Sequence, residues 1–215
     1  MCGRFTLTRF PDGWAALLAL PGFEKPKPRG NISPGEYILT VLRDPEIAHP
    51  IPQMLFWGFL PAWVKDAMSV SSPINARAET AAEKPYFRAA IRHRRCLIPA
   101  DGFFEWSGER GQRRKHYFQM RDEQPFALAG IWERWQGPGD ELIDSCAILT
   151  TTPNAVVKPV HDRMPVIIRQ EDFALWLDPH AQSHRTVAHL LAPHPAEAMK
   201  EAPVGRDGGE QKELF

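Results

Sequence analysis

The second residue of the chain is a cysteine, and removal of Met1 would leave it with a free α-amine and a thiol on adjacent carbons. Such an amine has a reference pKa of about 7.7–8.0, against about 10.4 for lysine, so much more of it is nucleophilic near neutrality. An aldehyde would condense with the amine to an imine, which the thiol would close into a five-membered thiazolidine. A carboxamide or ester would instead be attacked by the thiolate alone. The plainer alternative is a small buried residue at a strand start.

Other residues offer the proton traffic this chemistry needs. Glu105 lies in the apolar run Gly102-Phe103-Phe104-Glu105-Trp106, where lost solvation raises a carboxyl pKa and suits it to general base work. Strand alternation puts Phe103 and Glu105 on one face, and Phe104 and Trp106 on the other. The competing reading is a solvated strand Glu beside Arg113 or Lys115. His161, in Val160-His161-Asp162-Arg163-Met164-Pro165, is matched to shuttling protons near neutrality. Asp162 need not touch it, because adjacent strand residues point to opposite faces. His180, His184, His189 and His194 fall in the polar C-terminal region and are expected to be solvated. Asn75 precedes an expected helix and is either a polar contact or a cap, while Arg77 can grip a phosphate bidentately. Asn31 reads equally as turn chemistry. A basic run between Arg88 and His116 is either a solvated face or a phosphate-binding surface. Trp57-Gly58-Phe59-Leu60-Pro61-Ala62-Trp63 either packs a satellite core or stacks on unpaired bases.

These residues need a scaffold, and composition restricts it. The 215 residues fit one domain, with 43% hydrophobic and 24% charged, which argues against intrinsic disorder. The 26 Lys+Arg balance 26 Asp+Glu, so neither a wholly basic nucleic-acid coat nor an acidic tail protein is expected. The 21 prolines and seven tryptophans suggest short strands and turns rather than a helical bundle. No stretch has the roughly 18 apolar residues of a membrane span, and no secretory leader is evident, so a cytoplasmic protein is expected. Three cysteines without a C-x-x-C pair argue against a disulfide framework and a structural zinc site; Cys96 and Cys146 read as core residues. Strands are expected over 3–8, 37–42, 51–57, 96–99, 103–106, 116–121, 126–132, 142–151 and 163–168. Short helices are expected over 12–20, 78–82, 85–92, 171–177 and 185–191, with 21–30 a connector and 58–73 irregular. The best fit is a single α+β domain (2–192) around a strongly curved, mostly antiparallel sheet with a barrel-like core. A partly disordered tail (193–215) follows it.

In combination, the residues resemble the SRAP (SOS response-associated peptidase) family. The resemblance rests on Cys2-Gly3-Arg4-Phe5, Asn31-x-x-Pro34, Trp57-Gly58, Ile74-Asn75-Ala76-Arg77-x-Glu79-Thr80, Arg95 through Trp106, Ala129-Gly130-Ile131-Trp132 and His161-x-Arg163-Met164-Pro165. It implies a monomeric protein, without cofactor or metal, that crosslinks to abasic sites in single-stranded DNA, including at junctions with duplex. Cys2 would be the nucleophile, Asn75 would hold the Cys2 end and the opened sugar, Glu105 would assist ring closure, and His161 would exchange a proton with the sugar. Arg4, Arg77 and Arg163 would contact DNA, with Trp63 at a base-stacking wedge. The resemblance also implies self-removal of whatever precedes the cysteine, and a β-elimination lyase activity. An N-terminal-nucleophile amidohydrolase and a non-covalent single-strand binder are the competing functions.

Overall fold

The computed structural model describes residues 2–11, 14, 23–43, 47, 49–109 and 112–204. Thirteen strands carry the architecture: β1 (Arg4–Leu7), β2 (Arg29–Ile32), β3 (Tyr37–Leu42), β4 (Ile51–Trp57), β5 (Asn75–Arg77), β6 (Arg95–Ala100), β7 (Gly102–Ser107), β8 (Arg114–Met120), β9 (Phe126–Gln136), β10 (Leu142–Thr151), β11 (Met164–Pro165), β12 (Ile167–Ile168) and β13 (Met199–Ala202). Among the described residues, helices with both ends in view are α1 (Ala78–Ala81), α2 (Arg88–His93), α3 (Phe173–Trp176) and α4 (His184–Val187).

Five strands close on themselves in the order β10-β4-β3-β6-β9-β10. The β10–β4 seam is parallel and only two residue pairs long, Ser145 with Phe56 and Cys146 with Trp57, while the other four seams are antiparallel. A second, wholly antiparallel sheet runs β13-β8-β7-β1-β2. The expected curved sheet with a barrel-like core is thus present, as a closed mixed barrel with a separate sheet beside it. Proline sits where no ladder bond is required: Pro52 pairs with Val41 of β3, beyond the short seam to β10, and Pro99 lies beyond the two-residue contact between β6 and β3.

Central barrel strands are apolar on both faces because each face meets a different layer. Cys96 and Ile98 of β6, Leu128 and Trp132 of β9, and Cys146 and Ile148 of β10 join Phe5, Ile38, Trp57, Phe103 and Phe118 in one core. Their neighbours Leu97, Ala129, Ile131, Ala147 and Leu149 face Phe59, Ile91, Phe173 and Trp176 in another. Gly130 belongs to this packing, since a Cβ there would lie 2.6 Å from Cys96 Sγ.

Three expectations change. The 163–168 strand divides into β11 and β12, which pair with β10 and β9 respectively. The tail drawn from residue 193 is folded through the last described residues, because β13 pairs with β8 from Met199 opposite Met120 to Ala202 opposite Tyr117. The 21–30 connector ends in a strand, β2, which pairs with β1. Most of the 12–20 helix lies outside the described residues.

Candidate active site

Cys2 is fully buried just ahead of β1. Strand β1 pairs with β7 through Arg4 opposite Phe104 and Phe5 opposite Phe103, so the register extended by one step brings Gly3 opposite Glu105. This edge is tied by a polar knot: the Thr6 and Thr8 hydroxyls donate to the buried Asp101 carboxylate, as do the Thr8 and Arg9 amides at 2.7 and 2.9 Å. Sequence reasoning passed over Asp101; its signal is the Thr6-x-Thr8 alternation at a strand end.

Asn75 opens β5, which runs parallel to β10 with Asn75 opposite Ile148. Its Nδ2 donates to the Cys2 carbonyl at 3.0 Å. Its Oδ1 is buried and has no hydrogen-bond partner among the described residues. The capping alternative fails, because α1 is preceded by Arg77 and has no side-chain cap. Trp57 steadies both flanks of the pocket: its indole Nε1 donates to the Ile74 carbonyl at 2.9 Å, and its ring meets Phe5 edge-on at 5.3 Å.

Glu105 is 2% exposed, which sets aside the solvated reading. Phe103 shares its face, as alternation requires. Burial raises the Glu105 carboxyl to about 7, with the negative charge of Asp162 adding to the effect. Burial and the charge of Glu105 push the Cys2 thiol well above the ordinary thiol range. His161 Nε2 stands 3.9 Å from Glu105 Oε2.

His161 ends a turn wound on Asn154, whose Oδ1 accepts from the amides of Val156 and Val157 at 3.1 Å each. The His161 amide donates to the Val157 carbonyl at 3.0 Å. The Arg163 amide donates to His161 Nδ1 at 3.0 Å. Nε2 is the ring nitrogen that faces Glu105. Residues 161–163 form a bend instead of a strand, so Asp162 reaches back to within 3.0 Å of Nδ1. Burial lowers the His161 pKa, opposed by Asp162.

The remaining expected residues differ in character. Arg4 follows Cys2 by two residues and donates to Asn31 Oδ1 at 3.2 Å. Arg77 follows Asn75 by two residues on the same strand face and is exposed. Arg163 is engaged: both terminal nitrogens bind Glu79 at 2.8 Å, and Nη2 also donates to the Thr150 carbonyl at 2.6 Å. It clamps the His161 bend to α1 and β10. Trp63 is 61% exposed, edge-on to Tyr86 at 5.8 Å, in a loop pinned by Trp135 Nε1 to the Val64 carbonyl at 2.6 Å.

The basic run from Arg88 to His116 is no continuous surface. Arg95 is buried and donates to the carbonyls of Ile91, Arg92, Trp176 and Asp178, while Arg94 pairs with Glu133 at 3.2 Å. His180 and His189 are exposed, whereas His184 and His194 are half-buried. Cys96 and Cys146 are fully buried. Among the described residues no three His, Cys, Asp or Glu gather as a metal site, and no helix is long and apolar enough to cross a membrane.

The family model for SOS response associated peptidase (SRAP) matches residues 1–210. The Bacillus subtilis abasic site processing protein YoqW is 36% identical over 208 residues, covering 93% of this chain and 90% of that protein. Escherichia coli abasic site processing protein YedK is 32% identical, covering 82% and 79% respectively. A phage-related protein of Bordetella bronchiseptica superposes with a TM-score of 0.75 at 29% identity, over 97% of this chain and 96% of that one. A second protein of that organism shares the fold with a TM-score of 0.78 at 24% identity, over 95% and 100%. A match that runs from Cys2 past β13, supported by both relatives and by the barrel itself, means that the chain belongs to the SRAP family.

Proposed function

We propose that this protein, once Met1 is removed, captures the ring-opened aldehyde of an abasic site in single-stranded DNA as a thiazolidine on Cys2. The α-amine adds to the aldehyde carbon, forming a C–N bond. His161 takes a proton from the nitrogen as that bond forms and returns it to the resulting hydroxyl, which departs as water and leaves an imine. Glu105 takes the thiol proton, the sulfur adds to the imine carbon, and the nitrogen is reprotonated. The balance is aldehyde plus aminothiol giving thiazolidine plus water, with no oxidant or cofactor.

Each residue has a defined part. A thiol held far above its ordinary pKa does not ionise unaided, so it needs a base whose own affinity for protons has been raised, and Glu105 is that base. Asn75 fixes the Cys2 carbonyl with its amide and offers its open Oδ1 to the sugar hydroxyl or the amine. Arg4 and Arg77 contact phosphates, and Trp63 stacks on a base beside the lesion. Arg163 acts indirectly, by holding the His161 bend, since its charge is already met by Glu79. The imine is also the branch point for β-elimination and strand cleavage, and ring closure diverts it from that exit.

The observation carrying this reading is the convergence on Cys2 of Asn75, 3.0 Å from its carbonyl, and of a Glu105–His161 pair 3.9 Å apart. The relatives named for abasic site processing support the substrate. The test incubates the processed protein with a single-stranded oligonucleotide bearing one abasic site. A denaturation-resistant adduct is expected, absent with Cys2→Ala and with a borohydride-reduced sugar. Equal adducts with intact and reduced sugars, or glutamine hydrolysis without any adduct, would overturn it.

A further inference from the structure

Ser107, His116 and Glu201 come from three adjacent strands of the second sheet. Ser107 and Arg114 are partners in the β7–β8 ladder, as are Glu105 and His116, and Glu201 pairs with Phe118 across β8–β13. Directly opposed residues share a face, and so do residues two apart, so Ser107, His116 and Glu201 all lie on one face at one end of the sheet. Ser107 Oγ is 2.6 Å from His116 Nε2, and His116 Nδ1 is 2.8 Å from Glu201 Oε1.

The acceptor-only carboxylate fixes the tautomer. A carboxylate at Nδ1 requires the ring proton there, which leaves the Nε2 lone pair to accept from the Ser107 hydroxyl. This is the order of a nucleophile, a base and an orienting acid. His116 is 6% exposed, so its ring is held by its surroundings, stacked on Phe118 with centroids 6.5 Å apart. Ser107 is half-buried, at the point where the strand turns through Gly108 (φ +89°), and Glu201 is partly exposed, so the cluster lies at the rim of the sheet and not in the core. Arg114, opposite Ser107 on the same face and exposed, puts a cation beside the hydroxyl.

We propose that Ser107, His116 and Glu201 form a second nucleophilic centre, independent of Cys2, that reacts with small acyl esters. Ser107 Oγ attacks the ester carbonyl as His116 Nε2 takes its proton. The alcohol leaves with that proton, and water, activated by the same His116, then releases the acid. Glu201 keeps the ring oriented throughout.

The test treats the intact protein with a fluorophosphonate, which forms a Ser–O–P bond and expels fluoride, and maps the adduct by peptide mass spectrometry. Labelling of Ser107 at least about 100-fold faster in the folded than in the urea-unfolded chain is expected, the scale of general-base assistance. His116→Ala should abolish this excess and Glu201→Gln should reduce it at least tenfold. Ester turnover, measured in a Cys2→Ala background so that the thiol makes no contribution, should fall in parallel. Equal labelling of folded and unfolded wild-type chain would overturn the proposal whatever the variants do, as would folded Glu201→Gln protein that labels at the wild-type rate.

Discussion

His161 Nε2 and Glu105 Oε2 face each other at 3.9 Å, and burial shifts their proton affinities in opposite senses, Glu105 up to about 7 and His161 below its ordinary value. The physical cause is the same for both: a low-dielectric pocket penalises the charged form, which is the base form of a carboxyl and the acid form of an imidazole.

A pH dependence follows with a defined sign. Glu105 accepts the thiol proton only as the carboxylate, so the rate of crosslinking should rise as pH increases through about 7. A free α-amine has a reference pKa slightly higher, about 7.7–8.0, and its deprotonation acts in the same direction. Glu105→Gln should therefore be slower by about 100-fold or more and retain only the upper limb. Single-turnover adduct formation between pH 5.5 and 9 measures both, and coincident profiles would assign the base elsewhere.

The same carboxyl should cost the fold stability. Its folded-state pKa is raised, so its contribution is fully present below the unfolded value of about 4.3 and is lost as pH rises through about 7. Glu105→Gln should thus be more stable than the wild type at pH 8, by on the order of 2–3 kcal/mol, and the two should converge near pH 4. Urea denaturation at the two pH values tests this, and a variant less stable at pH 8 would contradict it.

Cys2→Ser separates the two bonds of the adduct. The amine is intact, so the imine still forms, but a hydroxyl closes the ring far less readily than sulfur. Crosslinking by Cys2→Ser should therefore depend on borohydride trapping, whereas the wild-type adduct should be stable without it. A Cys2→Ser adduct as durable as the wild type would remove the thiol from the mechanism.

Asn75 contributes one donor, to the Cys2 carbonyl, and one open acceptor. Asn75→Asp keeps the acceptor and loses the donor; Asn75→Ala loses both. Both should slow crosslinking, Asn75→Ala by about 10- to 100-fold, at a stability cost of about 1–3 kcal/mol, the scale of leaving a buried partner unsatisfied. A variant that crosslinks normally would reduce Asn75 to a structural contact.

Some of this was legible in the residues and some was not. The strands expected over 37–42, 51–57 and 142–151 match β3, β4 and β10 residue for residue, because strand-forming apolar runs end at turn or charged positions. Strands β2, β5 and β13 were missed, since Arg29–Ile32, Asn75–Arg77 and Met199–Ala202 are short and largely polar and become strands only against β1, β10 and β8. Closure of the barrel through two residue pairs between β4 and β10 has no local signal at all. Cys2, Glu105, His161 and Asn75 stand out in the residues because their chemistry is unusual for their surroundings, and the fold joins Asn75 to Cys2 and sets His161 opposite Glu105. The grip of Glu79 on Arg163, across 84 residues, does not stand out. A charge reads as available in a sequence until its partner is known.

That grip separates Arg163 from Arg77 in DNA binding. An arginine contacting phosphate releases counterions, and for single strands each such contact contributes about 0.7 to the slope of log K against log salt. Arg77 is exposed, and although its charge also acts on Glu79, that carboxylate is hydrogen-bonded to Arg163, so Arg77→Ala should weaken binding and flatten the slope by about 0.7. The Arg163 charge is already met by Glu79 at 2.8 Å, so Arg163→Ala should leave the slope unchanged. Its loss should instead slow crosslinking, by freeing the bend that carries His161. Glu79→Gln should resemble Arg163→Ala in rate, because it weakens the same clamp. Binding isotherms between 50 and 200 mM salt, with a Cys2→Ala background to suppress the covalent step, distinguish the two arginines; equal flattening by both variants would return Arg163 to the DNA interface.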